Sequence, residues 1–225
     1  MRDPADAGVF LLARNLAPAL VEPGDVLRFG PDGEPLEATS ERLYLERYIH
    51  AAIYRARPDV AAVVHSHSPA IVPFTVSRTA RLRPVCHMAG FLREQVPVFE
   101  IREHAGEASD LLIRDNRLGD GLAAGLGAEA AILMRGHGVT VVGASLKEAV
   151  FRSVYVERNA EIQARALALG DVTYLTPGEA AQADAANAGQ IDRAWGAWCL
   201  EVAASDCTPV RSVQERGPER SGSGG

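Results

Sequence analysis

The segment AAILMRGHGVTVVG, residues 130–143, constrains the fold more than any other part of the sequence. Two short apolar runs flank Gly136-His137-Gly138, and such runs are typical of strands buried on both faces of a sheet. The segment SLKEAVFRSVYVERNAEIQARALALG follows at once, with Ser145 and Glu148 in the spacing of a capping box and Gly170 at its end. We therefore expect two buried strands and then a long helix, which favours an α/β architecture.

Apolar periodicity and turn residues predict the remaining elements. They are a hairpin turn at Pro31-Asp32-Gly33, helices over 41–57 and 111–126, strands over 60–66 and 96–101, and a capped helical region from Thr176. No internal repeat or linker divides the chain, so we expect one domain over residues 1–213. The polar, Gly- and Ser-rich segment 214–225 is predicted to be a disordered tail.

Composition excludes several classes of function. The formal charge of −6 and the absence of a Lys/Arg cluster argue against a nucleic-acid partner. No apolar run approaches the roughly 18 residues that cross a bilayer, and the N-terminus does not resemble a signal peptide, so we expect a cytoplasmic protein without a membrane partner. Cys86, Cys199 and Cys207 lack CxxC spacing, which favours buried thiols over a disulfide framework or a cysteine zinc site. A small molecule is the expected partner.

Two histidines, His65 and His67, stand one residue apart at the end of the predicted strand 60–66. Side chains alternate along a strand, so both imidazoles lie on the same face. A catalytic metal site commonly uses three protein ligands, and His137 is the best third candidate because its flanking glycines allow a sharp turn and a close approach. On spacing alone, the more common explanation of the His65–His67 pair is a solvated strand end. His137 on its own is more commonly a simple turn residue.

Glu46 is the acidic residue to consider with these histidines. It lies on the predicted helix one turn ahead of His50, so the two side chains share a face, although an ordinary surface pair is the more common meaning of that spacing. We expect His50 to be a half-buried histidine with a hydrogen-bond partner and His104 to lie in a polar surface loop. The position of His87 is ambiguous.

Together these motifs resemble the class II aldolase/adducin family. The resemblance rests on Glu-x-x-x-His, Arg-Pro-Asp, His-x-His and a Gly-His-Gly before a capped helix, and it covers roughly residues 8–180. It implies that His65, His67 and His137 bind a divalent metal, which would be zinc, manganese, cobalt or iron. It also implies that Glu46 is the catalytic acid/base or an additional ligand.

The resemblance further implies a fold and an assembly. The family fold is an αβα sandwich around a mainly antiparallel sheet, and its members usually form homotetramers with active sites at subunit contacts. The N-terminal helix and Gly-Asn/His-x-Ser segment of the family do not precede FLLARN here. That difference counts against a phosphorylated substrate, although a shortened sequence would look the same.

Within the family, RPVCHMAGFL, PVFEIRE and LMRGHG are most similar to the hydroxy-aromatic and carboxy-muconic-semialdehyde decarboxylases. This implies decarboxylation of a small hydroxy-aromatic or β-keto mono- or dicarboxylic acid through a metal-stabilised enolate. Arg135 is a candidate for binding a second carboxylate, with a structural ion pair as the alternative. His87 is a candidate donor or acid, and Tyr155 a candidate aromatic contact, with a core position as its alternative.

Three other functions remain open at this stage. A class II aldolase would use the same residues for retro-aldol cleavage. A non-heme iron oxygenase would use the same three histidines, because open positions on Fe(II) admit oxygen. An adducin-like interaction module would keep the fold without the metal site, and the intact set of Glu46, His65, His67 and His137 argues against it.

Overall fold

Within residues 1–205, the part of the chain that the computed structural model describes, seven strands form two sheets. The strands are β1 (Arg2–Asp3), β2 (Asp6–Ala13), β3 (Val26–Phe29), β4 (Ala62–Ser66), β5 (Val98–Phe99), β6 (Ala131–Met134) and β7 (Gly138–Gly143). The helices are α1 (Arg47–Ala56), α2 (Val72–Val76), α3 (Arg102–Ala105), α4 (Asn116–Leu126), α5 (Leu146–Leu169), α6 (Pro177–Ala188) and α7 (Ile191–Ser205). The predicted tail 214–225 and Cys207 lie outside the described residues. The expectation of buried thiols is wrong for Cys199, which is exposed on α7, and Cys86 is only half-buried.

The larger sheet is mainly antiparallel, as the family resemblance implies. Its strand order is β4-β7-β6-β5, in which only the β5–β6 pair is parallel. The smaller sheet, β1-β2-β3, is antiparallel throughout. A hydrogen bond of 2.8 Å from the Arg2 amide to the Ala61 carbonyl joins the edge of the smaller sheet to the start of β4.

Both faces of the larger sheet are buried, which gives the αβα layering. Along β6, Ile132 and Met134 belong to one apolar cluster and Ala131 and Leu133 to another, as the alternation of a strand requires. The first cluster contains the apolar faces of α1 and α4, whereas the second contains those of α5 and the 3₁₀ segment His87–Leu92. The predicted pair of buried strands is confirmed.

Several boundaries differ from those expected. The helix predicted over 41–57 begins only at Arg47, whose guanidinium donates to the carbonyls of Gly33 and Tyr44, and Leu45 is 48% exposed rather than packed. The helix predicted over 111–126 begins at Asn116, because the Asp115 side chain caps it by accepting from the Leu118 amide.

Two predicted β elements are shorter than expected. The strand predicted over 96–101 comprises only Val98–Phe99, because α3 begins soon after it. The turn at Pro31-Asp32-Gly33 forms, with Gly33 at φ +82°, but its return strand is only the single bridge Phe29–Pro35, and β3 pairs instead with β2. Local turn signals therefore predicted the turn but not the strand partner.

The predicted helix starts at Ser145 and Thr176 are confirmed. The Ser145 side chain accepts from the Glu148 amide at the start of α5. Thr176 and Glu179 form a complete capping box at the start of α6. Since these caps satisfy amides that have no partner within the helix, both helix starts were readable from local sequence.

Candidate metal centre

Four side chains from three parts of the chain converge at one end of the larger sheet. Glu46 directly precedes α1, His65 lies in β4, His67 directly follows β4, and His137 lies in the turn between β6 and β7. One ligand atom from each side chain lies within 4.8 Å of all the others. Sequence spacing predicted the His65–His67 pair, and the structure brings His137 and Glu46 to it.

Local backbone geometry explains how the histidines meet. The rings of His65 and His67 lie on the same side of the strand, with centroids 4.9 Å apart. Gly136 turns the chain with φ +67°. A Cβ on Gly138 would overlap the carbonyl oxygen of Ser66, so the absence of a side chain there lets the turn reach the end of β4. The close approach expected of the Gly-His-Gly segment is confirmed.

Backbone carbonyls set the protonation pattern of two imidazoles. His137 Nδ1 lies 2.9 Å from the Leu111 carbonyl, and His65 Nδ1 lies 3.1 Å from the Val139 carbonyl. A carbonyl only accepts, so each Nδ1 carries the proton and each Nε2 presents a lone pair to the centre. Metal-bound histidines are commonly oriented in this way.

The three Nε2 atoms are close together. His67 Nε2 lies 2.9 Å from His65 Nε2 and 2.8 Å from His137 Nε2. A single proton on His67 can satisfy only one of the two neighbouring lone pairs. A cation between the three nitrogens would satisfy all of them, so this arrangement fits a metal better than it fits a hydrogen-bond network.

Glu46 supplies negative charge to the same place. Its carboxylate oxygens lie 3.3 Å from His65 Nε2 and 3.3 Å from His137 Nε2, and Oε1 is buried without a hydrogen-bond partner among the described residues. Burial raises the pKa of Glu46, but the hydrogen bond with His65 and the electrostatic attraction of the three imidazoles outweigh this effect, and the pKa of Glu46 is lowered. Glu46 is therefore ionised at neutral pH.

Two of the histidines, in contrast to Glu46, favour their uncharged form, because their pKa values are lowered as well. Burial lowers the pKa of His67, and the neighbouring charge of His65 adds to this effect while Glu46 opposes it. Burial likewise lowers the pKa of His137, and this effect is larger than the increase caused by the negative charge of Glu46. At neutral pH these two imidazoles are neutral and the carboxylate is charged, which is the donor set that zinc and other first-row divalent metals bind.

A cavity of about 770 Å³ opens beside the centre, and Glu46, His65 and His67 form part of its wall. The rest of the wall includes Tyr44 and His50. Its volume falls within the range of about 300–1,000 Å³ that is typical of small-molecule sites. The cavity therefore has room for a substrate in contact with the cluster.

The other candidate contact residues lie outside this cavity. Arg135 pairs with the Glu100 carboxylate at 2.6 Å, which is the structural ion pair left open as its alternative. His87 is exposed at the start of the 3₁₀ segment, and Tyr155 packs on Phe151 with ring centroids 4.6 Å apart. Their roles in substrate binding stay predictions.

Sequence reasoning missed two features of the site. His50 is buried and its Nδ1 has no hydrogen-bond partner among the described residues, so the expectation of a satisfied, half-buried histidine is wrong. Leu111, whose carbonyl holds His137, has φ +70°, which is rare for a residue other than glycine. No local pattern signals a leucine in that conformation, since tertiary contacts impose it.

The chain belongs to the class II aldolase and adducin family, whose model, described as "Class II Aldolase and Adducin N-terminal domain", matches residues 1–164. It is 36% identical to the decarboxylase tropJ of Talaromyces stipitatus over 225 aligned residues, which cover 90% of this chain and 84% of that protein. It is 29% identical to the 3,4-dihydroxyphthalate decarboxylase of Terrabacter sp. over 67% of this chain and 61% of that enzyme.

The similarity of the fold to solved structures agrees with the family assignment. A crystal structure of an aldolase II superfamily protein from Pseudomonas syringae matches with a TM-score of 0.73 at 21% identity, covering 91% of this chain and 82% of that one. The predicted class II aldolase-like fold is confirmed, and the decarboxylases among the relatives support an enzyme. None of the helices within residues 1–205 is long and apolar enough to cross a bilayer.

Proposed function

We propose that this chain is a divalent-metal-dependent carbon–carbon lyase, and specifically a decarboxylase of a small hydroxy-aromatic or β-keto carboxylic acid. The convergence of Glu46 with three imidazoles beside a cavity carries the proposal. The relatives named as decarboxylases favour loss of CO2 over retro-aldol cleavage.

His65, His67 and His137 would hold the metal through Nε2. When bound, a divalent cation supplies Lewis acidity that stabilises negative charge developing on a substrate oxygen. The carbonyls of Val139 and Leu111 keep two of the imidazoles in the tautomer that this role requires.

Glu46 would move the proton. Loss of CO2 leaves an electron pair on carbon, and that carbon must gain one proton. The ionised carboxylate of Glu46 takes the proton of the substrate hydroxyl and returns it to the carbon, directly or through water. The hydroxyl oxygen regains a proton from solvent, so the overall reaction consumes one proton for each CO2 released.

The test measures CO2 release from a panel of hydroxy-aromatic and β-keto acids, together with metal content after purification without chelator. We expect His67→Ala to lose metal and activity together, and Glu46→Gln to retain metal and lose turnover by at least about 100-fold, the usual scale of a general acid/base contribution. A Glu46→Gln variant with an unimpaired rate would remove Glu46 from the mechanism.

The same experiment separates the alternatives. Bound iron with oxygen uptake would point to the oxygenase, and aldehyde formation without CO2 to the aldolase. Activity in the absence of any retained metal would contradict the metal-dependent reaction.

We also propose that the active assembly is a homotetramer, as the family resemblance implies. Light scattering on the purified chain tests this assembly directly. A monomer with full activity would contradict it, since family active sites lie at subunit contacts.

A further inference from the structure

A second cleft, of about 720 Å³, lies beside the ends of β5, β6 and α2. It shares no wall residue with the cavity at the metal centre. The charged residues of its wall are Arg78, Arg81, Arg102, Arg135 and Glu100. With four arginines and one glutamate, positive charge is in excess by three. The cleft therefore concentrates positive charge in a chain whose formal charge is −6.

Glu100 compensates only part of this positive charge. Its carboxylate accepts two hydrogen bonds from the Arg102 guanidinium, at 2.8 and 3.0 Å, and pairs with Arg135 at 2.6 Å. The hydrogen bond with Arg102 is the main cause that lowers the pKa of Glu100 to about 2, so Glu100 is ionised at neutral pH. Arg78 and Arg81 have no carboxylate partner within residues 1–205. Their two guanidinium groups are therefore available to an anion, which a guanidinium can bind through two parallel N–H donors.

The backbone that carries these two arginines is held in place by other residues. The Arg81 carbonyl accepts a hydrogen bond of 2.6 Å from Nε2 of Gln163, a fully buried side chain of α5. The Ser77 hydroxyl oxygen accepts a hydrogen bond of 2.9 Å from the Ala80 amide, which closes a turn around Arg78. A site whose backbone is ordered before the ligand arrives loses less conformational entropy on binding. This part of the cleft is therefore preorganised.

We propose that this cleft is a second ligand site, which binds a small molecule with a dianionic oxygen group, a phosphate or a pair of carboxylates. Arg78 and Arg81 match its two charges, and the Ser77 hydroxyl, which only accepts within the turn, donates its proton to the same group. The net negative charge of the chain disfavours a larger polyanion such as a nucleic acid. The inference concerns binding alone and does not depend on the proposed reaction.

The experiment titrates the full chain with inorganic phosphate, malonate and acetate by isothermal titration calorimetry. All titrations use the same ionic strength and about pH 7.5, where phosphate carries close to two charges. We expect phosphate or malonate to bind at least about 10-fold more tightly than acetate, because a single carboxylate leaves one guanidinium without its charged hydrogen bonds. The tighter of the two dianions identifies the source of the charge, phosphate or paired carboxylates.

Four variants make the test specific to the cleft. Arg78→Gln and Arg81→Gln should each weaken dianion binding about 10-fold, the scale of one hydrogen bond to a charged group. Both side chains are exposed, so the variants are expected to fold. Arg165→Gln removes the same charge from an exposed position of α5 outside the cleft and should leave the affinity unchanged. His67→Ala should also bind the dianion normally, because His67 belongs to the metal centre and not to the cleft.

Wild-type affinity in both arginine variants would overturn the inference, as would equal binding of acetate and the dianions. Loss of dianion binding in His67→Ala would overturn it too, since the anion would then be bound at the metal centre. If the arginines instead pair with acidic side chains of a second copy, the wild type will not bind the dianions and the arginine variants will dissociate in light scattering. Dianion binding without CO2 release from any acid would contradict only the proposed function, and CO2 release without dianion binding only the present inference.

Discussion

At the scale of single residues, His50 links protonation to folding. Burial lowers its pKa from 6.5 to about 3, with smaller contributions from the charges of the Met1 ammonium and His65, while Glu46 opposes the shift. Between these two pH values the unfolded chain binds a proton that the folded chain does not. The free energy of unfolding therefore rises with pH in this interval, and the contribution is complete above pH 6.5.

The first prediction follows from that linkage. Lowering the pH from 7 to 4.5 should reduce the free energy of unfolding of the wild type by about 2–3 kcal/mol more than that of His50→Phe. The reason is that each pKa unit corresponds to about 1.4 kcal/mol. Urea unfolding at the two pH values measures the difference. His104→Asn, which removes an exposed histidine, is the matched control and should keep the acid sensitivity of the wild type. Equal acid sensitivity of His50→Phe and the wild type would contradict the assignment.

The second prediction concerns the contact between Gly138 and β4. Gly138→Ala should lower the free energy of unfolding by at least about 2 kcal/mol and weaken metal retention, because the added methyl group overlaps the Ser66 carbonyl next to His67. Chemical denaturation and metal analysis measure the two effects. Gly178→Ala has open space around its Cβ and should be neutral or slightly stabilising. Full metal retention by Gly138→Ala would show that the turn does not position His137.

At the scale of secondary-structure elements, capping was the most reliable local signal and apolar spacing the least precise. Ser145 and Thr176 mark the observed starts of α5 and α6, because side-chain oxygens satisfy helix amides locally. Apolar spacing extended the first helix to residue 41, although Leu45 does not join its buried face. Periodicity predicts which side chains can share a face, but it does not mark the first residue of a helix.

The third prediction tests the cap of α6. Thr176→Ala should lower the free energy of unfolding by about 1 kcal/mol, because the Glu179 amide loses its acceptor. Metal retention should be unaffected, since α6 contacts the His87–Leu92 segment rather than the metal cluster. Urea denaturation measures the change, and Thr176→Ser should restore most of the loss. Equal stability of the alanine and serine variants would contradict a role for the hydroxyl.

At the scale of the whole molecule, the candidate metal centre connects distant parts of the chain. Glu46 precedes α1, the His65–His67 pair ends β4, and His137 lies 70 residues further along. A ligand that binds all of these positions in the folded state alone must stabilise the fold as a whole.

The fourth prediction follows from this linkage. At a metal concentration 100 times the dissociation constant, the free energy of unfolding should rise by about 2.7 kcal/mol, which raises Tm by roughly 5–10 °C in a chain of this size. Thermal unfolding with zinc, manganese or cobalt, against chelator, measures the shift. His67→Ala should lose most of it. An equal shift in wild type and His67→Ala would show that the stabilising metal binds elsewhere.

The sequence by itself determined the α/β class, the caps of α5 and α6, the same-face placement of His65 and His67, and the family through its spaced motifs. These features depend on a few neighbouring residues or on the two-residue period of a strand. Only the tertiary structure decided that Arg135 pairs with Glu100, that His50 is buried beside the cavity, and that Leu111 and Val139 orient the imidazoles. Those features depend on contacts between residues far apart in the chain, and no local pattern of side chains encodes them.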